Sequence, residues 1–117
     1  MLNRLTVTVL LVFILLSNLQ AQGKLGEATF RHIETIAADI FEGRRAGSEG
    51  GYAAANYITK ILADHDVRPA GDNSYFQLFT KVYPNCRNII GIIPGRDREL
   101  SNELIAVGAH YDHVGFG

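Results

Sequence analysis

The residues best suited to chemistry lie near the end of the printed sequence, where His110, Asp112 and His113 follow an apolar run. An imidazole nitrogen is a common zinc ligand, and a zinc-bound histidine typically donates its other ring N–H to a carboxylate. Side chains two positions apart on a strand point to the same face, so His110 and Asp112 could form such a pair. A zinc site needs at least three protein ligands. The sequence therefore predicts one part of a metal site here.

Two apolar runs are expected to position this cluster. Asn88–Ile93 and Leu104–Ala109 are continuous apolar segments bounded by turn residues, a pattern typical of strands buried on both faces. The polar connection Pro94–Glu103 is shorter than the dozen or so residues that a parallel crossover requires. We therefore expect the two strands to pair antiparallel, with His110 at the C-terminal end of its strand, facing a crevice.

Helices and a further strand complete the predicted fold. Apolar residues at helical spacing predict an amphipathic helix over Ala28–Phe41, which Gly43 would end. A second helix is predicted over Glu49–Asp66, and the aromatic, β-branched segment Tyr75–Tyr83 predicts a strand. The predicted class is α/β, with a mixed, partly antiparallel sheet and flanking helices.

The glycine-rich segment between the two predicted helices, Glu42–Gly51, has a structural interpretation. It lacks the Lys-Ser/Thr ending of a phosphate-binding P-loop and follows no predicted strand. Ser48 is placed to cap the second helix, and a carboxylate in the first helical turn favours the helix dipole. We expect Arg44 and Arg45 to be solvated.

Two other reactive residues carry weaker signals. His65 lies between two aspartates, but neighbouring residues on a helix point in different directions, so we expect no metal site there. Cys86 is the only cysteine, which excludes an intrachain disulfide, and we interpret it as incidental rather than redox-active.

The N-terminus predicts export. Arg4 precedes an apolar core over residues 5–16, and small or polar residues follow up to Ala21. This layout is typical of a secretory signal peptide over residues 1–21, and the apolar core is shorter than the roughly 20 residues of a membrane span. An uncleaved anchor is the alternative. We expect a secreted or periplasmic protein with no membrane attachment after cleavage.

Length, charge and composition limit the number of domains and the kinds of partner. Residues 22–117 are enough for one small domain, and the formal net charge of the whole chain is −1. No basic stripe of the kind that nucleic acids require is present, so we expect no nucleic-acid partner.

Several short motifs in a fixed order resemble one protein family. The chain is similar to the N-terminal third of the secreted dizinc exopeptidases of the aminopeptidase Y and bacterial leucyl aminopeptidase type. The resemblance covers roughly residues 30–117 and rests on six pieces: the glycine-rich segment from Glu42 to Gly50, the alanine-rich helix after it, Arg68–Gly71, Tyr75–Gln77, Arg87–Gly91 with Pro94–Gly95, and Val107–His113.

The resemblance implies a phosphorylase/aminopeptidase-like fold and a full-length, exported, zinc-dependent aminopeptidase that acts on peptide substrates. It implies two zinc ions, His110 as a metal ligand and Asp112 as the catalytic residue that orients it; His113 matches no ligand. The short connection between Phe79 and Arg87 implies that no protease-associated domain is inserted there.

The other ligands and the catalytic glutamate of the family have no counterpart up to Gly117. We therefore expect residues 22–117 to be the N-terminal portion of a catalytic domain and to be inactive alone. Two alternatives are a non-catalytic, receptor-like relative with the same fold and a zinc acyltransferase of the glutaminyl cyclase type.

Overall fold

The structure is a computed structural model that describes residues 3–79 and 85–116. Within these ranges the fold combines helices with two small antiparallel sheets, so the predicted mixed α/β content is confirmed. In chain order the elements are α1 (Arg4–Ala37), a 3₁₀-helix (Asp39–Arg44), α2 (Glu49–Asp64), β1 (Arg68–Pro69), β2 (Phe76–Phe79), β3 (Cys86–Ile89) and β4 (Gly91–Ile92).

The first helix is longer than the sequence pattern predicts at one end and shorter at the other. It runs from Arg4 to Ala37, so it includes both the predicted export segment and most of the predicted helix Ala28–Phe41. Phe30 and Ile33, on the predicted apolar face, are exposed. This helix forms one compact unit, and a second unit begins at Ala38.

Among the described residues, no helix combines the length and the apolar character that crossing a membrane would require.

The predicted end of the first helix at Gly43 is wrong. The chain leaves the helix at Ala38, whose backbone is extended, and then forms the 3₁₀-helix, which is interrupted by left-handed backbone at Glu42 and Gly43. Within this short helix Phe41 is buried, and its ring contacts that of Tyr57 edge to face at a centroid distance of 6.1 Å. The helix thus ends well before Gly43, and the residues after the break pack Phe41 against α2.

The second helix begins as predicted. Ser48 has an extended backbone, and its hydroxyl accepts a hydrogen bond from the Gly51 amide at 3.1 Å, which satisfies one of the unpaired donors of the first turn. Glu49 supplies the acidic residue of that turn. The N-terminal cap predicted from the sequence is confirmed.

The same helix ends two residues earlier than predicted, through a local backbone motif. Asp66 adopts a left-handed conformation with φ of 57°, and the Val67 amide donates to the Leu62 carbonyl oxygen at 3.0 Å. These are features of a Schellman-type ending, in which a left-handed residue closes the helix. Pro69 lies beyond the end, in β1.

The sheets are built on one extended run, residues 86–92. Its first part, β3, pairs antiparallel with β2, in register Phe76 with Ile89 and Phe79 with Cys86. Its second part, β4, pairs antiparallel with β1. Ile90 joins the two parts, since its amide donates to Tyr75 and its carbonyl accepts from Ala70. The predicted strand Asn88–Ile93 thus contributes to two sheets.

The predicted strand over Tyr75–Tyr83 is confirmed in part. The structure contains β2 over Phe76–Phe79, and residues 80–83 of the predicted strand lie outside the described residues.

The predicted pairing of Asn88–Ile93 with Leu104–Ala109 is wrong. Leu104–Ala109 belongs to no strand, and the exposed fractions of Leu104, Ile105 and Val107 are 83%, 95% and 95%. A strand buried on both faces needs a partner along its edge and a layer on each side. Among the described residues no segment supplies either of these for this run.

The buried core of the described residues is small. It comprises Phe41 of the 3₁₀-helix, Ala54 and Ala55 of α2, and Cys86 of β3. The two alanines allow α2 to approach its neighbours closely. Cys86 lies in β3 within this core, and it packs there as a small hydrophobic residue.

Candidate functional site

His110 and Asp112 lie close together, in an exposed part of the chain. The Nδ1 atom of His110 is 3.0 Å from the backbone carbonyl oxygen of Asp112 and 3.6 Å from its carboxylate Oδ1. The exposed fractions of the two side chains are 86% and 50%. The juxtaposition that the i and i+2 spacing suggested therefore occurs, although the segment is not part of a sheet.

The contact to the carbonyl oxygen determines which nitrogen can act as a ligand. A carbonyl oxygen only accepts hydrogen bonds, so this contact requires the proton on Nδ1. In the neutral ring, the lone pair then lies on Nε2. A metal-ligating histidine uses such a hydrogen bond to hold its tautomer and its ring orientation.

Tyr111 anchors the segment between these two residues. Its side chain is half-buried, and its hydroxyl donates to the Arg87 carbonyl oxygen at 3.1 Å. Burial raises the pKa of Tyr111, and the positive charge of Arg87 opposes that shift. The tyrosine thus ties the exposed His110–Asp112 pair to β3.

The glycine-rich segment provides the second anchor. The His113 amide donates to the Arg44 carbonyl oxygen and the Gly115 amide to the Gly43 carbonyl oxygen, both at 3.0 Å. Gly43 has a φ of 61°, and a Cβ at this position would lie 2.5 Å from the Gly115 carbonyl oxygen. The close approach of the two backbones therefore requires glycine at Gly43.

Arg44 corrects the expectation of two solvated arginines. Its side chain is half-buried, and its Nε donates to the Tyr111 carbonyl oxygen at 3.0 Å. Arg45 is exposed, and its backbone forms an isolated parallel bridge with His113. The glycine-rich segment and the segment from His110 to His113, which lie far apart in the sequence, are therefore in direct contact.

A cavity of about 690 Å³ lies beside this contact. Its lining comes from the glycine-rich segment, α2, residues 85–90 and residues 107–112, and it includes Tyr52, Arg87, His110 and Asp112. The two apolar runs that we expected to pair thus contribute to the lining of one cavity. A volume of this size is within the range of small-molecule sites in proteins.

Arg87 is the one described charged side chain in this lining with a buried polar atom that lacks a hydrogen-bond partner, its Nε. Its guanidinium carbon lies 4.0 Å from the ring centroid of Tyr52 and 4.9 Å from that of Phe76. The Tyr52 hydroxyl in turn donates to the Asn85 carbonyl oxygen at 2.9 Å. Aromatic side chains therefore hold the cation in place at the cavity.

The described residues do not form a complete metal site. Among residues 3–79 and 85–116, no group of three or more histidine, cysteine, aspartate or glutamate side chains is arranged to hold a metal ion. His110 is one candidate ligand with its orienting partner, which is fewer than the three that zinc requires. His65, which we did not expect to bind metal, is the C-cap of α2. No reaction step through a metal can therefore be derived from these residues.

Sequence reasoning missed Arg87, Tyr52 and Tyr111 as parts of the site. They come from β3, from α2 and from the segment that carries His110. An arginine at the start of an apolar strand is an available signal, because a cation at that position needs a specific partner. The identity of its aromatic partners could not be inferred without the fold.

The chain shows no match to any of the family models, curated proteins or solved structures with which it was compared. The resemblance to dizinc exopeptidases accordingly depends on the order of the six short motifs in the sequence.

Proposed function

We propose that the chain is the N-terminal part of an exported zinc-dependent aminopeptidase, in which His110 is a zinc ligand and Asp112 orients its ring. The protein would hydrolyse N-terminal peptide bonds. Residues 22–117 alone would be inactive, since they contain one of the ligands that a zinc site needs.

The observation that carries the proposal is the contact between His110 Nδ1 and Asp112. Two oxygen atoms of the same residue lie near Nδ1: the carbonyl oxygen at hydrogen-bond distance, 3.0 Å, and a carboxylate oxygen at 3.6 Å. Both favour the tautomer with its lone pair on Nε2. A hydrogen bond from Nδ1 to a backbone carbonyl oxygen is one of the outer contacts that hold metal-ligating histidines in one tautomer, and here a carboxylate lies close by.

The surroundings of the pair support a substrate site there. The cavity of about 690 Å³ reaches His110 and Asp112, so a peptide bound in it would lie beside the candidate ligand. Tyr111 and the glycine-rich segment hold the backbone around the pair through hydrogen bonds of 3.0 to 3.1 Å. Catalytic groups need this kind of positioning to act on a bound substrate.

The test is to produce the protein from its complete reading frame and to measure zinc content and hydrolysis of aminoacyl p-nitroanilides. His110→Ala should lose bound zinc and at least about 100-fold in kcat/KM, because it removes a direct ligand, whereas substitution of an outer partner typically costs 10–100-fold. The matched control is His65→Ala, an exposed histidine at the end of α2, which should keep both.

Two outcomes would contradict the proposal. One is wild-type activity in His110→Ala, which would end the case for this residue as a ligand. The other is stoichiometric, tight zinc binding by residues 22–117 alone, which would show that this segment is not an incomplete site.

A further inference from the structure

We propose that Arg87 forms an anion subsite in the wall of the cavity that contains His110, and that it binds the terminal carboxylate of a short peptide. The assignment of a peptide ligand rests on the proposed function. The anion subsite itself rests on the surroundings of Arg87.

The first argument is that Arg87 forms no ion pair with any of the described residues. All 12 aspartate and glutamate residues of the sequence lie in the described ranges, and none forms an ion pair with Arg87. Arg31, on the exposed surface of α1, does pair with Glu27 at 3.1 Å. A half-buried cation without a counter-charge is unfavourable, and a bound anion would remove that cost.

The second argument concerns the shape of the binding surface that remains. The rings of Tyr52 and Phe76 lie against the guanidinium group, at 4.0 and 4.9 Å from its central carbon. Contacts over the rings stabilise the charge but leave the in-plane N–H donors unused. A planar carboxylate can accept two parallel hydrogen bonds from that edge, which is the geometry arginine recognises best.

The third argument comes from the size of the cavity. Arg87 and His110 line the same cavity of about 690 Å³. This volume would hold a short peptide and is much larger than a small inorganic anion needs. The lining also contains apolar side chains, among them Ile58, Leu62 and Phe79. A short peptide offers both the carboxylate for Arg87 and apolar side chains for these residues.

Isothermal titration calorimetry tests the subsite on the protein from its complete reading frame. The probes are N-acetyl-Ala-Ala as the free acid, the same compound as its C-terminal amide, and inorganic phosphate. We expect the acid to bind about 10–100-fold tighter than the amide, as charge-assisted hydrogen bonds imply. Arg87→Gln should reduce this ratio to about one, and the exposed control Arg68→Gln should preserve it.

The ratio of the affinities for the acid and for the amide is measured on the wild-type protein. The proposal therefore stays testable if Arg87→Gln fails to fold. Equal binding of acid and amide would overturn it, as would a ratio that survives in a folded Arg87→Gln protein. Phosphate binding as tight as that of the acid would overturn the peptide assignment.

The His110→Ala variant separates this inference from the proposed function. If Arg87 holds the carboxylate, the acid-to-amide ratio persists in His110→Ala; loss of the ratio there would place the carboxylate on a metal instead and contradict the subsite. Absence of peptidase activity with an intact ratio would contradict only the proposed function.

Discussion

At the scale of single residues, two oxygen atoms of Asp112 lie near the ring of His110 at different distances. The backbone carbonyl oxygen of Asp112 lies at hydrogen-bond distance from Nδ1, whereas the carboxylate oxygen lies at 3.6 Å, beyond it. The carboxylate therefore acts on the ring mainly through its charge. This difference in distance decides how much a substitution of the Asp112 side chain should reduce zinc affinity or activity.

Asp112→Asn tests the contribution of the carboxylate. Substituting the partner of a metal-bound histidine typically costs 10–100-fold in affinity or activity. Because the carbonyl contact survives the substitution, we expect the lower end, about tenfold in zinc affinity or kcat/KM, measured on the protein from its complete reading frame. Asp97→Asn, in an exposed turn remote in sequence, should leave both unchanged. A loss beyond about 100-fold would mean that the carboxylate, not the carbonyl, holds the ring.

Strand alternation predicted that His110 and Asp112 lie on one face, and the two residues are close, although the segment forms no strand and the hydrogen bond goes to the backbone carbonyl oxygen. Arg44 shows the limit of such local reasoning. A charged residue in a glycine-rich segment is usually solvated, yet the docking of residues 111–115 on this segment half-buries Arg44 and gives its Nε a carbonyl partner.

At the scale of elements, the junction between the 3₁₀-helix and α2 is closely packed. A Cβ at Gly50 would lie 2.1 Å from the Phe41 carbonyl oxygen and 2.7 Å from the Glu42 Cβ. Gly50 is buried in the first turn of α2, beside the capping Ser48. The absence of a side chain is therefore what allows the two elements to meet.

Gly50→Ala should therefore destabilise the fold, contrary to helix propensity. Propensity alone favours alanine over glycine by about 1 kcal/mol, whereas overpacking typically costs about 1–3 kcal/mol. The contact distance makes the second effect larger, and urea unfolding should show a lower midpoint. Gly108→Ala, where a Cβ would meet nothing within 4 Å, should stay within about 0.5 kcal/mol of wild type. A stabilised Gly50→Ala protein would show that the junction can relax.

The elements differ in how well sequence predicted them. The start of α2 depends on Ser48 and its near neighbours, so a local pattern was sufficient. Strand pairing depends on partners distant in the chain. The apolar run Leu104–Ala109 has strand-like composition but no partner among the described residues, and β1 over Arg68–Pro69 has a partner but no recognisable pattern.

At the scale of the whole molecule, the chain divides at Ala37 into two compact units. The first is the helix α1, which contains the predicted signal peptide and the predicted cleavage position after Ala21. The second begins at Ala38 and contains the cavity and the residues proposed to act there.

We expect the exported protein to begin near Gln22, because signal peptidases cleave after small residues that follow an apolar core. N-terminal sequencing of the exported form would show this start. Ala21→Arg, which places a large charged side chain at the cleavage position, should leave the longer precursor. A start at Met1 in the wild-type protein would contradict the prediction and favour an uncleaved anchor.

Sequence by itself determined the features that depend on near neighbours: the mixed α/β content and the cap and start of α2. Tertiary structure alone decided which residues surround His110 and Asp112. The docking of residues 111–115 on the glycine-rich segment and the packing of two rings against Arg87 join segments far apart in the chain. Their contacts depend on where the backbone brings distant residues together, and no local pattern in the sequence encodes that position.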